Sequence, residues 1–167
     1  MNTLKMTTVC ALLFFATGLS SQATPRSSFD LMKTLAGNWE GKTSMGDIAH
    51  VSFRLTAGDT ALISEIQGEM HGRSEDMITM IHPDKGRLML IHYCSSGNQP
   101  RMKAKTSSDG KSVTFDFVDA TNLDSPQTGH MHSVTFTFVD ATHHTEEWHY
   151  LDHSKDTIMR FDLQKKS

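Results

Sequence analysis

From Trp39 to the C-terminus, apolar and polar residues alternate with a period of two in about ten short runs separated by turn residues. The runs cover 39–45, 48–57, 60–67, 75–82, 87–94, 99–106, 111–118, 132–139, 143–151 and 156–164. Between them stand Gly46-Asp47, Gly58-Asp59, Pro83-Asp84-Lys85-Gly86, Ser96-Gly97-Asn98 and Ser108-Asp109-Gly110. Connections this short join antiparallel neighbours, so the simplest all-β arrangement is a meander. About ten such strands predict a single antiparallel up-and-down barrel, a form that commonly encloses a ligand. Ahead of the strands, Phe29, Met32 and Leu35 recur about one helical turn apart, which predicts a short N-terminal helix over Phe29 to Leu35 ending near Gly37.

The longest irregular stretch is Asp119 to Met131, with Asn122, Pro126 and Gly129. A near-repeat flanks it, Thr114-Phe115-Asp116-Phe117-Val118-Asp119-Ala120-Thr121 against Thr135-Phe136-Thr137-Phe138-Val139-Asp140-Ala141-Thr142. With two copies and no longer period, this reads as two similar strands and not a repeat architecture.

The first residues predict a cleavable signal peptide, residues 1–23. Lys5 precedes an apolar stretch from Val9 to Leu19, and Ser21-Gln22-Ala23 supplies the small-x-small cleavage pattern. The apolar run is shorter than the ~20 residues of a spanning helix, so no membrane span is expected. The mature chain, Thr24 to Ser167, has 144 residues, a size suited to one domain. The expected location is periplasmic or secreted.

Composition narrows the partners. Removing Lys5 from the 16 Lys and Arg leaves 15 against 19 Asp and Glu, a formal balance of −4. No basic stripe is present, which argues against nucleic acid. All ten histidines lie in the mature part, so the balance inverts to +6 if all are protonated. Cys94 is the only mature thiol, which rules out an intramolecular disulfide.

The short helix followed by Gly37-Asn38-Trp39 at the start of the first strand, then the meander, resembles the calycin group of lipocalins, fatty-acid-binding proteins and related haem barrels. The motif likeness covers Leu35 to Gly41, and the strand count extends it over the mature chain. The resemblance implies a ligand-holding barrel in which Trp39 closes one end against the helix. The segments His92-Tyr93-Cys94-Ser95-Ser96-Gly97-Asn98-Gln99-Pro100-Arg101-Met102 and Phe115-Asp116-Phe117-Val118-Asp119-Ala120-Thr121-Asn122-Leu123 resemble exported bacterial proteins of unknown function.

Two hairpins carry the candidate chemistry. With Ser95 to Asn98 as the turn, His92 would face Arg101 and Cys94 would face Gln99 on one side. An inward Arg101 would suit a carboxylate ligand and would need an acid as partner. The expected ligand-binding set is Tyr93, Asn98, Gln99, Arg101, Phe115, Phe117, Phe136 and Phe138. In the later hairpin, a two-residue turn at Ala141-Thr142 would pair Phe138 with Thr145, Phe136 with Glu147 and Val134 with His149, with His130 and His132 on the same face. That face suggests metal or haem coordination through His130, His132, Glu147 and His149. Met70-His71, Met80-Ile81-His82 and His130-Met131-His132 add soft sulfur beside imidazole, the donor set of copper, although Met77, Met80, Met89 and Met102 read as core.

Catalysis has weaker support. Cys94 and His92 share one strand face, and Asp116, Asp119 or Glu147 could act as acid or base if buried, but no nucleophile motif or oxyanion site stands out. The leading expectation is an exported barrel binding a small, partly apolar molecule, with an anionic ligand accommodated if Arg101 points inward. The alternatives are a metal- or haem-binding protein and a barrel hydrolase or isomerase.

Overall fold

The computed structural model describes residues 25–70 and 72–167. The expected signal peptide, and His71 of the Met70-His71 pair, lie outside the described residues. One helix, α1 (Pro25–Lys33), precedes ten strands: β1 (Gly37–Thr43), β2 (Ile48–Thr56), β3 (Ala61–Met70), β4 (Arg73–Asp84), β5 (Arg87–Tyr93), β6 (Gln99–Thr106), β7 (Ser112–Thr121), β8 (His130–Phe138), β9 (His143–Asp152) and β10 (Lys155–Lys165). Each strand pairs antiparallel with its sequence neighbour, and β1 pairs with β10, so the meander closes into a barrel. The alternation therefore gives both the strands and the architecture.

The helix begins four residues before the expected Phe29, at Pro25. Proline fits the first helical position because its missing N–H has no partner there in any case. Phe29, Met32 and Leu35 are buried, and α1 packs against β4 and β5 across one end of the barrel. Trp39 Nε1 donates to the Leu35 carbonyl at 2.7 Å, fastening the first strand to the chain leaving the helix. This end is filled by Trp39, Phe53, Phe115 and Phe136, all in one buried cluster. At the opposite end lie the β1–β2, β3–β4, β5–β6, β7–β8 and β9–β10 connections.

Both candidate hairpins differ from expectation by one residue of register. In β5–β6, Ile91 and not His92 pairs with Arg101. The turn has three residues: the Gly97 amide bonds the Cys94 carbonyl, Cys94 bonds Asn98, and Gly97 sits at φ +86°. A type I turn closed by a left-handed glycine is a standard three-residue hairpin, and it displaces the four-residue turn. In β8–β9, Val134 pairs with Trp148 and Phe136 with Glu146, not with His149 and Glu147. Asp140 Oδ1 accepts from the Thr142 amide at 2.7 Å, and this side-chain turn takes Asp140 into a three-residue loop. A one-residue slip moves every partner side chain to the other face of the wall. Arg101, Glu147 and His149 consequently lie outside, and His92, Glu146 and Trp148 inside.

A bulge between Met131 and Ser133 adds a further change. His132 is the extra residue; His130 is buried and His132 exposed, with their rings 5.8 Å apart and both against Phe117.

Closure depends on small residues at the seam. Gly41 lies between Leu163 of β10 and Ala49 of β2, and a Cβ added there would sit 1.7 Å from the Asp162 carbonyl oxygen. Because that obstacle is backbone, no side-chain movement relieves it. Gly41→Ala is expected to lower stability by about 3 kcal/mol, near the upper end for overpacking, because β1 and β10 must separate. Chemical denaturation beside a turn substitution, Thr60→Ala, measures this; equal midpoints would show that the seam tolerates a Cβ.

Candidate functional site

The inward parity of β5 is Leu88, Leu90 and His92, all buried, and the chain continues inward at Cys94. In β9 the same rule points His144, Glu146 and Trp148 inward. β4 contributes Met77, and β10 contributes Met159 and Phe161. Of these, Met77, His92, Cys94, Trp148, Met159 and Phe161 line a cavity of about 460 Å³ at the end away from α1, with Ile66, Met131, Ser96 and Tyr150 also in its wall and Arg73 and Glu75 at β4. Two other hollows, about 380 and 510 Å³, lie along the outer wall among side chains such as Glu40, His50, Thr135, Glu147 and Arg160.

His92 is the most unusual group in the cavity. Its ring is enclosed, stacks obliquely on Trp148 at 4.8 Å between centroids, and meets Thr79 Oγ1 through Nδ1 at 2.9 Å. Its Nε2 has no hydrogen-bond partner. Burial penalises the imidazolium and pushes the pKa down to about 4, so the ring is neutral at ordinary pH. Trp148 is fixed in turn: its Nε1 donates to Glu146 Oε2 at 2.8 Å, and Glu146 Oε1 meets His144 Nε2 at 3.1 Å. His144 lies edge-on to Trp39 at 4.3 Å, which joins the cavity floor to the helix-capped end.

The polar side of the cavity continues from Cys94, whose thiol donates to Ser96 Oγ at 3.3 Å; Ser96 donates to Tyr150 Oη at the same distance. Gly129 permits the placement of Tyr150, since a Cβ there would lie 2.1 Å from the phenol oxygen. The β7–β8 connection carrying Gly129 is tied down by Asn122 Nδ2 to the Gly97 carbonyl at 2.6 Å and by Asn98 Nδ2 to the Gly129 carbonyl at 2.8 Å.

None of the eight residues expected to bind ligand lines this cavity. Arg101 is half-exposed on the outer wall and forms a two-pronged ion pair with Asp119, which also raises its pKa. Its acidic partner comes from β7, and half-exposed on the outer wall the guanidinium is also solvated. Tyr93 is exposed beside Ile78, and Gln99 accepts from Thr121 outside. Asn98 is buried in the turn network, Phe115 and Phe136 are in the core, Phe138 packs at its edge, and Phe117 lies against His130 and His132.

The histidine set is likewise divided. His149 is on the outer wall between Asp156 at 2.7 Å and Glu147 at 3.0 Å, and Glu147 also pairs with Arg160. Partial burial lowers the His149 pKa, but hydrogen bonds to Asp156 and Glu147 outweigh it and the net shift is upward. Hydrogen bonds from His149, then Arg160, hold the Glu147 carboxyl below its ordinary range. His130 Nδ1 donates to the Thr128 carbonyl at 2.8 Å, so Nδ1 carries a proton. Among the described residues, no group of three His, Cys, Asp or Glu is placed to hold a metal ion. Cys94 and His92, considered together for catalysis, both line the cavity, while Glu147 lies on the outer wall with Arg160. Soft donors do share the cavity: Met77, Met131, Met159, Cys94 and His92.

Lowering of the His92 pKa makes stability depend on pH. In the unfolded chain the ring titrates near 6.5; in the fold it titrates at about 4. Between those values the unfolded chain holds the additional proton, so this contribution is complete above about 6.5 and is lost as pH falls toward 4. From about pH 7.5 to about pH 5, wild type is expected to lose roughly 2 kcal/mol more than His92→Gln, by linkage. Urea titrations at both values test this, and parallel losses would place the ring in contact with water.

No protein-family model matches the chain, and no curated protein matches it significantly. Among solved structures, it is similar to Rv2717c from M. tuberculosis, with a TM-score of 0.60 and 12% identity over 84% of this chain and 98% of that one. At that identity the likeness is one of fold: a closed antiparallel barrel.

Proposed function

We propose that this chain is an exported, calycin-like barrel that binds a small, partly apolar molecule in the cavity opposite the helix. The observation that carries this reading is the composition of the cavity wall, in which Met77, Trp148, Met159 and Phe161 supply apolar area and His92, Cys94, Ser96 and Tyr150 supply the polar atoms. Binding sites for small molecules combine these features, and about 460 Å³ is within their usual range. The calycin likeness is supported by the up-and-down order, the helix across one end and the tryptophan of Gly37-Asn38-Trp39 bonded to the Leu35 carbonyl. Export is supported by the leader-like segment ending at Ala23.

Rigid walls favour affinity, since little ordering is required on binding. Trp148 is held by Glu146, and Tyr150 by the packing of Gly129, so the aromatic walls are in place before a ligand arrives.

The neutral fluorophore N-phenyl-1-naphthylamine tests the site. One molecule per chain is expected to bind saturably, and Met159→Trp, which fills the cavity, to weaken binding by about tenfold or more, while Tyr93→Ala on the outer wall leaves it unchanged. Absence of saturable binding, or indifference to Met159→Trp, would overturn the reading. Protein recovered from the exported fraction of its host is expected to begin at Thr24 by N-terminal sequencing; retention of Met1 would remove the export claim.

A further inference from the structure

The mouth of the cavity carries two opposite charges that the chain leaves unpaired. Arg73, Glu75 and Met77 share the inward parity of β4, so the strand presents a cation, an anion and an apolar side chain in order from the rim inward. Successive members of this row stand about 7 Å apart along the strand. Among the described residues that line the cavity, Arg73 is the one Lys or Arg and Glu75 the one carboxylate. Their side chains form no hydrogen bond or ion pair with each other or with any described residue. Elsewhere on the barrel, arginines such as Arg54, Arg87, Arg101 and Arg160 each meet a carboxylate.

The neighbouring strands explain why Glu75 stands alone. Its register partner on β3 is Gly68, which has no side chain to offer, and a Cβ there would lie 2.8 Å from the Ile48 carbonyl oxygen. On the other side β5 has ended at Tyr93, and the turn beyond it brings the uncharged Ser95 and Ser96 to the cavity. Arg73 is exposed and Glu75 half-buried, so both remain hydrated while the cavity is open.

Resting on the binding-barrel reading, we infer that the cavity takes a zwitterion with an apolar tail, of which an α-amino acid with a large apolar side chain is the simplest form. The carboxylate meets the Arg73 guanidinium, the ammonium meets the Glu75 carboxylate, and the side chain lies against Met77, Trp148 and Phe161. The alternatives each leave a charge uncompensated. A simple carboxylate is repelled by Glu75, a simple amine is repelled by Arg73, and a neutral ligand at the mouth removes water from both without replacing it. The order along β4 also matches the molecule, whose two charged groups share one carbon and whose apolar part extends away from them.

Four probes dissect this pattern by calorimetric titration into the mature protein. L-Phenylalanine carries all three features, 3-phenylpropanoate lacks the ammonium, 2-phenylethylamine lacks the carboxylate, and L-alanine lacks the tail. L-Phenylalanine is expected to bind with one site per chain and about tenfold more tightly than any of the other three, the value of one charge-assisted contact. Arg73→Gln should remove its advantage over 2-phenylethylamine, and Glu75→Gln its advantage over 3-phenylpropanoate. L-Phenylalanine is also expected to displace N-phenyl-1-naphthylamine. Saturable binding of the fluorophore without displacement, equal affinities of L-phenylalanine and either fragment, or preferences that survive both substitutions would overturn the inference and leave the binding reading intact. Failure of the fluorophore and of all four probes to bind would overturn both.

Discussion

Closure of the sheet between β1 and β10 is the constraint on which everything inside depends. An open sheet of this length would leave two unpaired edges and a face of apolar side chains in water. Closing it fixes one interior, and the approach of β1 to β10 at Gly41 leaves no room for a Cβ. Once the seam is joined, every strand has an inside and an outside, and one residue of register decides between them. The turns therefore matter beyond their own length. Asp140 and Gly97 sit at the tips of hairpins, yet they determine that Glu146 and His92 face inward.

The interior is then ordered along a continuous column. Trp39 receives its anchor from Leu35, His144 abuts Trp39, Glu146 bonds both His144 and Trp148, and Trp148 contacts His92. A carboxylate in such surroundings needs hydrogen bonds, and the indole and imidazole donors supply them. The column gives Trp148 a fixed orientation at the floor of the cavity, and packing at the helix-capped end thereby supports the shape of the cavity at the other.

Much of this was legible in the sequence. The ten alternating runs correspond to the ten strands, short turns gave the meander, and the tryptophan after Gly37-Asn38 seals one end. Facing was harder, because it depends on whether a turn has two, three or four residues, and turn residues such as Ala141-Thr142 are compatible with more than one count. The parity of each strand contained a better signal. Leu88, Leu90 and His92 alternate on β5, and Trp148 marks the buried parity of β9, which places Glu146 and His144 inside whatever the turn. Apolar landmarks within a strand outrank a turn guess when the two disagree. The bulge at His132 had no comparable signal, since an extra residue preserves local alternation on both sides of itself.

The division of charge between the two faces follows from the same physics and bears on the chemistry of the cavity. Arg101 with Asp119, Lys105 with Asp116, and Arg160 with Glu147 all meet on the outer wall, where water moderates the desolvation of both partners. Inside, polar groups are few and are oriented by single neighbours: His92 by Thr79, Trp148 by Glu146, and Tyr150 by Ser96 and the close approach of Gly129. Beside Arg73 and Glu75, the cavity wall thus presents dipoles set against an apolar surface.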